Sequence, residues 1–356
     1  MSPDPAYIRQ NVLLSEYTTL GVGGPARFFA ECSDENELTD LIRFGQANSL
    51  EVFILGGGSN LLVSDAGFDG LVVKLGIRGI EMCSTNGDKC RITASAGENW
   101  DEFVEFAVAR GLAGIECLSG IPGLVGGTPI QNVGAYGEEV SDVVVSVRCF
   151  DRKTGRIALL SNVECGFAYR KSIFNVSERD RYVVISVTYD LTIDGSPKIV
   201  YKDLSEHFGD RRPSVAEVRE AVLSIRRKKS MVIDPADPNS RSAGSFFKNP
   251  VVSSFEYERI KMKEGRDIPT FPVGPDLVKI PAAWLIENAG FIKGFRLGNA
   301  AISENHSLAL VNRGGATAKE IIDLMNLIKH GVFERYSVEL VPEPVFLGFT
   351  YLAFSA

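Results

Sequence analysis

The stretch Val52-Phe53-Ile54-Leu55-Gly56-Gly57-Gly58-Ser59-Asn60-Leu61-Leu62-Val63 sets two short apolar runs on either side of a glycine turn. Each run has the length and composition of a short buried strand. Successive glycines let backbone N–H groups approach a pyrophosphate closely, and Ser59 and Asn60 add side-chain donors. A plain tight turn between two strands explains the same three glycines. The residues after the turn are strand-like, whereas a Rossmann fingerprint needs a helix there to aim its N-terminus at the phosphates. If this turn binds a dinucleotide, the fold is not Rossmann.

Upstream, a helical pattern at 35–48 leads into the first run, which makes the region a βαβ-like entry. Downstream, from about residue 70 to 190, short β-rich runs at 71–75, 90–94, 143–150 and 182–189 surround one clear helix at 100–109. Gly209-Asp210-Arg211-Arg212-Pro213 reads as a connector. The helix at 215–229 follows it, with Ser214 as N-cap and Glu217 three residues on. A third domain is expected to begin there, with helices at 281–287 and 317–334 and a last apolar strand at 344–354 that returns to the first domain. The fold class is α+β.

With 356 residues, 45% of them hydrophobic and 23% charged, the chain can bury a sizeable core and fill two or three domains. A net charge of -7 and a pI near 5.3 argue against a general nucleic-acid binder. The start, Met1-Ser2-Pro3-Asp4-Pro5, lacks the basic and apolar regions of a signal peptide, and every apolar run is too short to span a membrane, so the expected location is cytoplasmic. Cys32, Cys83, Cys90, Cys117, Cys149 and Cys165 form no C-x-x-C pair, and His207, His306 and His330 form no metal-binding motif. No metal is expected, and a mechanism without histidine is the one to look for.

Ser119-Gly120-Ile121-Pro122-Gly123-Leu124-Val125-Gly126-Gly127-Thr128-Pro129-Ile130-Gln131-Asn132-Val133-Gly134-Ala135-Tyr136-Gly137 holds six glycines and two prolines in nineteen residues. Neither a regular helix nor a strand suits it, so the backbone is shaped around a ligand or forms a long surface loop. Gly244-Ser245-Phe246-Phe247-Lys248-Asn249-Pro250 sets a serine before two aromatics and a lysine. That setting suits a hydroxyl presented in a dry pocket, or a core strand. Tyr169-Arg170-Lys171-Ser172 and Pro342-Glu343-Pro344 offer a cation and a carboxylate that mean little singly.

In combination and in this order, these segments, with Thr18-Thr19-Leu20-Gly21-Val22-Gly23-Gly24 and Trp284-Leu285-Ile286, resemble the UDP-N-acetylenolpyruvoylglucosamine reductase family over roughly residues 15–350. The resemblance implies a two-subdomain FAD-binding fold of the vanillyl-alcohol-oxidase type with a C-terminal α+β substrate domain. The expected divisions are 1–66 with 346–356, 67–212, and 213–345. It implies FAD and NADPH as cofactors, and a UDP-N-acetylglucosamine enolpyruvate substrate reduced to UDP-N-acetylmuramate for cell-wall precursor. The flavin would be held by Gly56, Gly57, Gly58, Ser59, Asn60, Ser119, Pro122, Gly123, Gly127, Thr128, Gln131, Asn132, Gly134, Ala135 and Tyr136. No nucleic acid or membrane partner is expected, and the protein is expected to act as a monomer.

Carried over by position, Ser245 resembles the acid that protonates C2, and Arg170 and Glu343 resemble the pair that stabilises the enol. Val200-Tyr201-Lys202-Asp203-Leu204 resembles the segment that, in one subclass, places a tyrosine over the substrate pyrophosphate; a partly buried surface tyrosine is its alternative. Lys229, Asn249 and Lys279 match further substrate contacts. One departure stands out. Relatives with this tyrosine often carry arginine two residues after the late glutamate, where this chain has Val345, so what that arginine does is either omitted or supplied from elsewhere, by Arg335 or Lys279. Two competing readings are a flavin oxidase of the same fold, which would usually tether FAD through His or Cys, and a nucleotide-sugar binder without turnover, which has no need of Arg170, Ser245 and Glu343 together.

Overall fold

The structure, a computed structural model, describes residues 7–349. The N-terminal pentapeptide, and the part of the expected 344–354 strand beyond 349, lie outside the described residues. The chain forms two compact units. The first takes the residues through Val12, Ala26–Gly58 and Asp69–Val232; the second takes Leu13–Pro25, Ser59–Phe68 and the chain from Ile233 onward.

In the first unit a four-stranded sheet runs in the order Arg9–Leu13, Pro25–Cys32, Phe68–Leu75, Val52–Leu55, and the last pair is parallel with Val52 opposite Leu71. Helix α1, Glu35–Ala47, starts where the Asp34 side chain accepts the N–H groups of Asn36 and Glu37. It buries Leu38, Leu41, Ile42 and Gly45, the spacing of one helical face. A Cβ on Gly45 would lie 2.2 Å from Val52 Cγ2, so the glycine lets the helix seat closely. A second, antiparallel sheet runs Arg156–Ser161, Val144–Asp151, Tyr182–Ile193, Lys89–Ser95, Ile80–Asn86. Helix α2, Trp100–Val108, is capped by Asn99 and carries Trp100 and Phe103 into the core, where their rings meet Tyr189 at centroid distances of 6.2 and 5.1 Å. Helices α3, Lys202–Phe208, and α4, Val215–Lys228, share a smaller core of Leu204, Phe208, Val218 and Val222 around Cys117. Ser214 and Glu217 form the capping box that the sequence predicts for α4.

The glycine turn does not connect neighbouring strands. Val52–Leu55 pairs with Phe68–Leu75 in the first unit, whereas Leu61–Val63 belongs to the second and pairs in parallel with Val345–Leu347. The βαβ-like reading therefore placed the second run wrongly. A parallel partner requires a long crossover, and here it comes from near the end of the chain.

The second unit contains α5, Ser254–Glu264, α6, Ala282–Asn288, and α7, Ala318–Tyr336, with two three-stranded sheets. Its core joins Leu20, Val22 and Leu62 to Phe246, Phe247, Ile302 and Ile328. The Thr18–Gly24 motif finds its reason here. A Cβ on Gly23, at φ +121°, would lie 2.5 Å from Val63 Cβ, and one on Gly24 would lie 2.3 Å from the Asp65 carbonyl oxygen. Asp65 in turn accepts the first two N–H groups of α7, at 2.7 and 2.9 Å. Among the described residues no helix is long and apolar enough to cross a membrane.

Candidate active site

In the first unit the two glycine-rich segments meet. A Cβ on Gly57 would sit 2.7 Å from Gly123 Cα, so the first loop touches the second only because both are glycine at that point. A Cβ on Gly56 or Gly127 would meet nothing within 4 Å, which leaves open backbone on both segments. Helix α2 holds the longer segment in shape. Trp100 donates its backbone N–H to Gly123 O (3.1 Å) and its Nε1–H to Leu118 O (3.0 Å). Asp101 accepts the Gly120 N–H (2.6 Å) and both nitrogens of Arg219 on α4, at 2.6 and 3.0 Å. Burial pushes the Asp101 carboxyl up, but the Arg219 and Gly120 hydrogen bonds outweigh it and hold the group below the usual carboxylate range.

Several polar side chains in the segment turn inward. Ser119 Oγ donates to Glu116 O (2.6 Å), Thr128 Oγ1 to Val125 O (2.8 Å), and Asn132 Nδ2 to Glu139 Oε2 (2.7 Å) and Ala168 O (3.2 Å). These three side chains brace the loop from within. Pro122 and Gln131 are half-buried between them. Gly134–Ala135 pairs with Glu138–Glu139, and the turn between them puts Tyr136 and Gly137 at φ +51° and +92°. Asn132, Tyr136 and Arg170 are three of the nine non-glycine residues with positive φ among the described residues, which concentrates backbone strain on residues singled out from the sequence. Arg170 donates from its Nη2 to Gly134 O (2.8 Å).

Two carboxyls are buried here, Glu138 in the hairpin itself and Glu116 earlier in the chain. Glu116 accepts the N–H groups of Gly114 and Ile115, and Glu138 accepts that of Cys117. Burial, then the neighbouring Glu116, pushes Glu138 up to about 8.

Tyr201 stands beside the same hairpin, edge-on to Tyr136 at 5.2 Å. A Cβ on Gly137 would strike Val200 Cγ2 at 2.3 Å, so the 200–201 segment rests directly on the turn. Lys229, just after α4, donates its Nζ to Asp203 of α3 at 2.7 Å. Burial pulls that amine down, but the Asp203 hydrogen bond more than offsets it and the group is raised.

The second unit assembles Asn60, Ser245, Asn249, Lys279 and Glu343, with Ser59 beside Asn60. The Ser245 segment is clamped on both sides. Ser242 bridges to Val311, and Phe246 N–H donates to Leu308 O (2.7 Å) on one side. On the other, Glu343 N–H donates to Phe246 O (2.9 Å) and Lys248 N–H to Val341 O (3.0 Å). Asn60 Nδ2 donates to Glu343 O (3.3 Å), and Asn249 Oδ1 accepts the Ala282 N–H at the start of α6 (2.9 Å). Lys279 Nζ lies over the Phe271 ring at 5.6 Å. Arg335 is committed elsewhere: it binds Glu264 through Nε and Nη2, at 3.2 and 2.8 Å. Sequence reasoning missed His306, whose Nε2 lies 3.3 Å from Ser245 Oγ. A lone histidine 61 positions away carries no local signal of such a contact.

Comparison with known proteins places the chain among relatives. Residues 26–161 match the family model for an FAD binding domain, and residues 235–347 match that for the C-terminal domain of UDP-N-acetylenolpyruvoylglucosamine reductase. A UDP-N-acetylenolpyruvoylglucosamine reductase of Thermobifida fusca is 46% identical over 352 residues, covering 96% of this chain and 98% of that one. The chain belongs to the UDP-N-acetylenolpyruvoylglucosamine reductase family. A second such reductase, of Saccharopolyspora erythraea, is 45% identical over 93% of each chain. The crystal structure of a UDP-N-acetylenolpyruvylglucosamine reductase from Thermus caldophilus superposes with a TM-score of 0.65 at 28% identity, covering 96% of this chain and all of that one. The α+β fold expected from the sequence, an FAD-binding part with a C-terminal domain, is therefore the fold of this reductase family, and the chain is an FAD-dependent oxidoreductase. The open glycine backbone at Gly56 and Gly127 fits such a group, since a side chain at either position would fill the cradle.

Proposed function

We propose that this chain reduces the enolpyruvyl group of UDP-N-acetylglucosamine enolpyruvate to give UDP-N-acetylmuramate, using NADPH, in the cytoplasm, as a step in making peptidoglycan precursor, and that it does so as a monomer. The observation that carries this reading is the near-full-length identity to the Thermobifida fusca reductase, 46% over 352 residues. The clamped Ser245 segment, with Glu343 N–H donating to Phe246 O beside it, supports it. The open backbone at Gly56 and Gly127 would hold FAD, which when bound would supply the hydride chemistry that links NADPH to C3 of the enolpyruvyl group.

The chain's own residues then have distinct tasks. Hydride arriving at C3 leaves negative charge on C2 and its carboxylate. Arg170 opposes that charge with a fork that suits a carboxylate, and Glu343 completes the pair that stabilises the enol. Ser245 gives its hydroxyl proton to C2. A serine of ordinary acidity suffices because an enolate carbon is a strong base and the donor is held in place. Tyr201 holds the pyrophosphate, with Lys229, Asn249 and Lys279 as further substrate contacts. Arg335 is bound to Glu264, so the charge absent at Val345 is either omitted or supplied by Lys279. The proposed functional division is 1–66 with 346–356 and 67–212 for the flavin, and 213–345 for the substrate.

The test is direct. Purified protein should be yellow, release flavin on denaturation, bleach anaerobically with NADPH and recover colour on addition of the UDP-enolpyruvyl sugar. Protein that bleaches but recovers colour only with oxygen would overturn the substrate assignment.

A further inference from the structure

His306 sits in the turn between the strands Ala300–Ile302 and Leu310–Asn312, with its carbonyl accepting the Ala309 N–H at 3.1 Å. The turn is braced independently of its ring: Ser303 N–H donates to Ala309 O (2.8 Å), and Ser307 Oγ donates to Glu287 of α6. The Ser245 segment lies along this hairpin in fixed register, with Arg241 O accepting Asn312 N–H (3.0 Å) and Leu308 O accepting Phe246 N–H (2.7 Å). Two rigid backbones thus bring Ser245 Oγ within 3.3 Å of His306 Nε2. Both side chains are half-buried.

The direction of that hydrogen bond decides its effect. If Nε2 accepts, the serine's single proton points at the imidazole and away from substrate. If Nε2–H donates, the proton is free for C2, and the donor already faces the oxygen that becomes an alkoxide once the proton leaves. We infer that His306 is a positioning residue that donates Nε2–H to Ser245 Oγ, aims the hydroxyl proton outward and stabilises the oxygen after transfer. The serine O–H bond breaks as the C2–H bond forms, and the alkoxide regains a proton from solvent. This inference rests on the assignment of Ser245 as proton donor.

The experiment compares Ser245→Ala, His306→Leu, His306→Gln and the Ser245→Ala/His306→Leu double variant as FAD holoenzymes in stopped flow. His306→Leu should slow reoxidation by the UDP-enolpyruvyl sugar by about 10- to 10³-fold, with NADPH reduction and sugar affinity retained. His306→Gln, which keeps an N–H donor, should recover much of the loss, and the double variant should be no slower than Ser245→Ala. Wild-type His306→Leu kinetics beside a slow Ser245→Ala would overturn the His306 inference alone. Normal reoxidation by Ser245→Ala would overturn the donor assignment itself. Nitrogen NMR of histidine-labelled wild-type holoenzyme, with its rings neutral, gives a readout free of any folding defect. The Nε2–H tautomer at His306, lost or shifted in Ser245→Ala, is expected; the Nδ1–H tautomer would refute the proposal.

Discussion

Tyr201 leans its ring edge-on against Tyr136, so its hydroxyl and its ring have separable duties. Tyr201→Phe keeps the aromatic contact and removes only the donor. Binding of the UDP sugar should weaken by about 0.5–1.5 kcal/mol, more if the lost bond is to a charged oxygen, while flavin reduction by NADPH changes little. Titration calorimetry with the UDP sugar checks the first expectation and stopped flow the second. Glu138 yields a prediction of another kind. Its folded-state carboxyl is raised by burial and by Glu116, so the stability it lends is fully present below the ordinary carboxylate range and disappears as pH rises through about 8. Glu138→Gln removes the ionisation but keeps a group of the same shape. Thermal melts at about pH 5 and about pH 9 should therefore show the variant gaining on wild type as pH rises. A wild-type advantage that widens with pH would contradict the sign. His306 shows the limit of reading at this scale, since its partner Ser245 is supplied by register between distant segments.

Helix α2 and its neighbour α4 act as the frame of the glycine-rich segment. Asp101→Ala breaks the ion pair with Arg219, whose side chain is only 9% exposed, and frees the Gly120 N–H. Because Asp101 itself is a third exposed, the loss should be about 1–3 kcal/mol, less than for a fully buried pair. Urea unfolding measures it, and flavin release should quicken in parallel. Gly57→Ala probes the same frame from the other side: its new Cβ meets the Gly123 backbone, which cannot yield like the end of a flexible side chain. FAD retention, followed by flavin fluorescence, should suffer more than the melting temperature. The elements themselves were unevenly legible. Helices α1, α2, α4 and α7 announce themselves because a capping side chain precedes a clear apolar face. Helix α5 was missed although Ser253 and Glu256 form a capping box and Gly265 ends it, because Ile260 is its one buried residue while Phe255 and Met262 face solvent. Ser119, Thr128 and Asn132 show a related limit: residue type singled out the loop, but not that these side chains bond to backbone of the protein itself.

Arg170 belongs to the first unit, and Ser245 and Glu343 to the second. If Arg170 and Glu343 serve one enol, as proposed, removing either should slow reoxidation by the UDP sugar by orders of magnitude. The double variant should then be far less than multiplicatively worse. Strictly additive losses in stopped flow would assign them separate duties. The collinear motifs made the family legible, but the pairing of Leu61–Val63 with Val345–Leu347 was not, because no local pattern names a partner so remote. That pairing has a consequence for how the protein is made. Asn60 and Glu343, joined by a hydrogen bond just before this ladder, are 283 residues apart. At a synthesis rate of about 5–20 residues per second, the early strand waits on the order of tens of seconds for its mate to leave the ribosome. During that interval Leu61, Leu62 and Val63 form an unpaired apolar edge on a nascent chain, the kind of surface that chaperones shield.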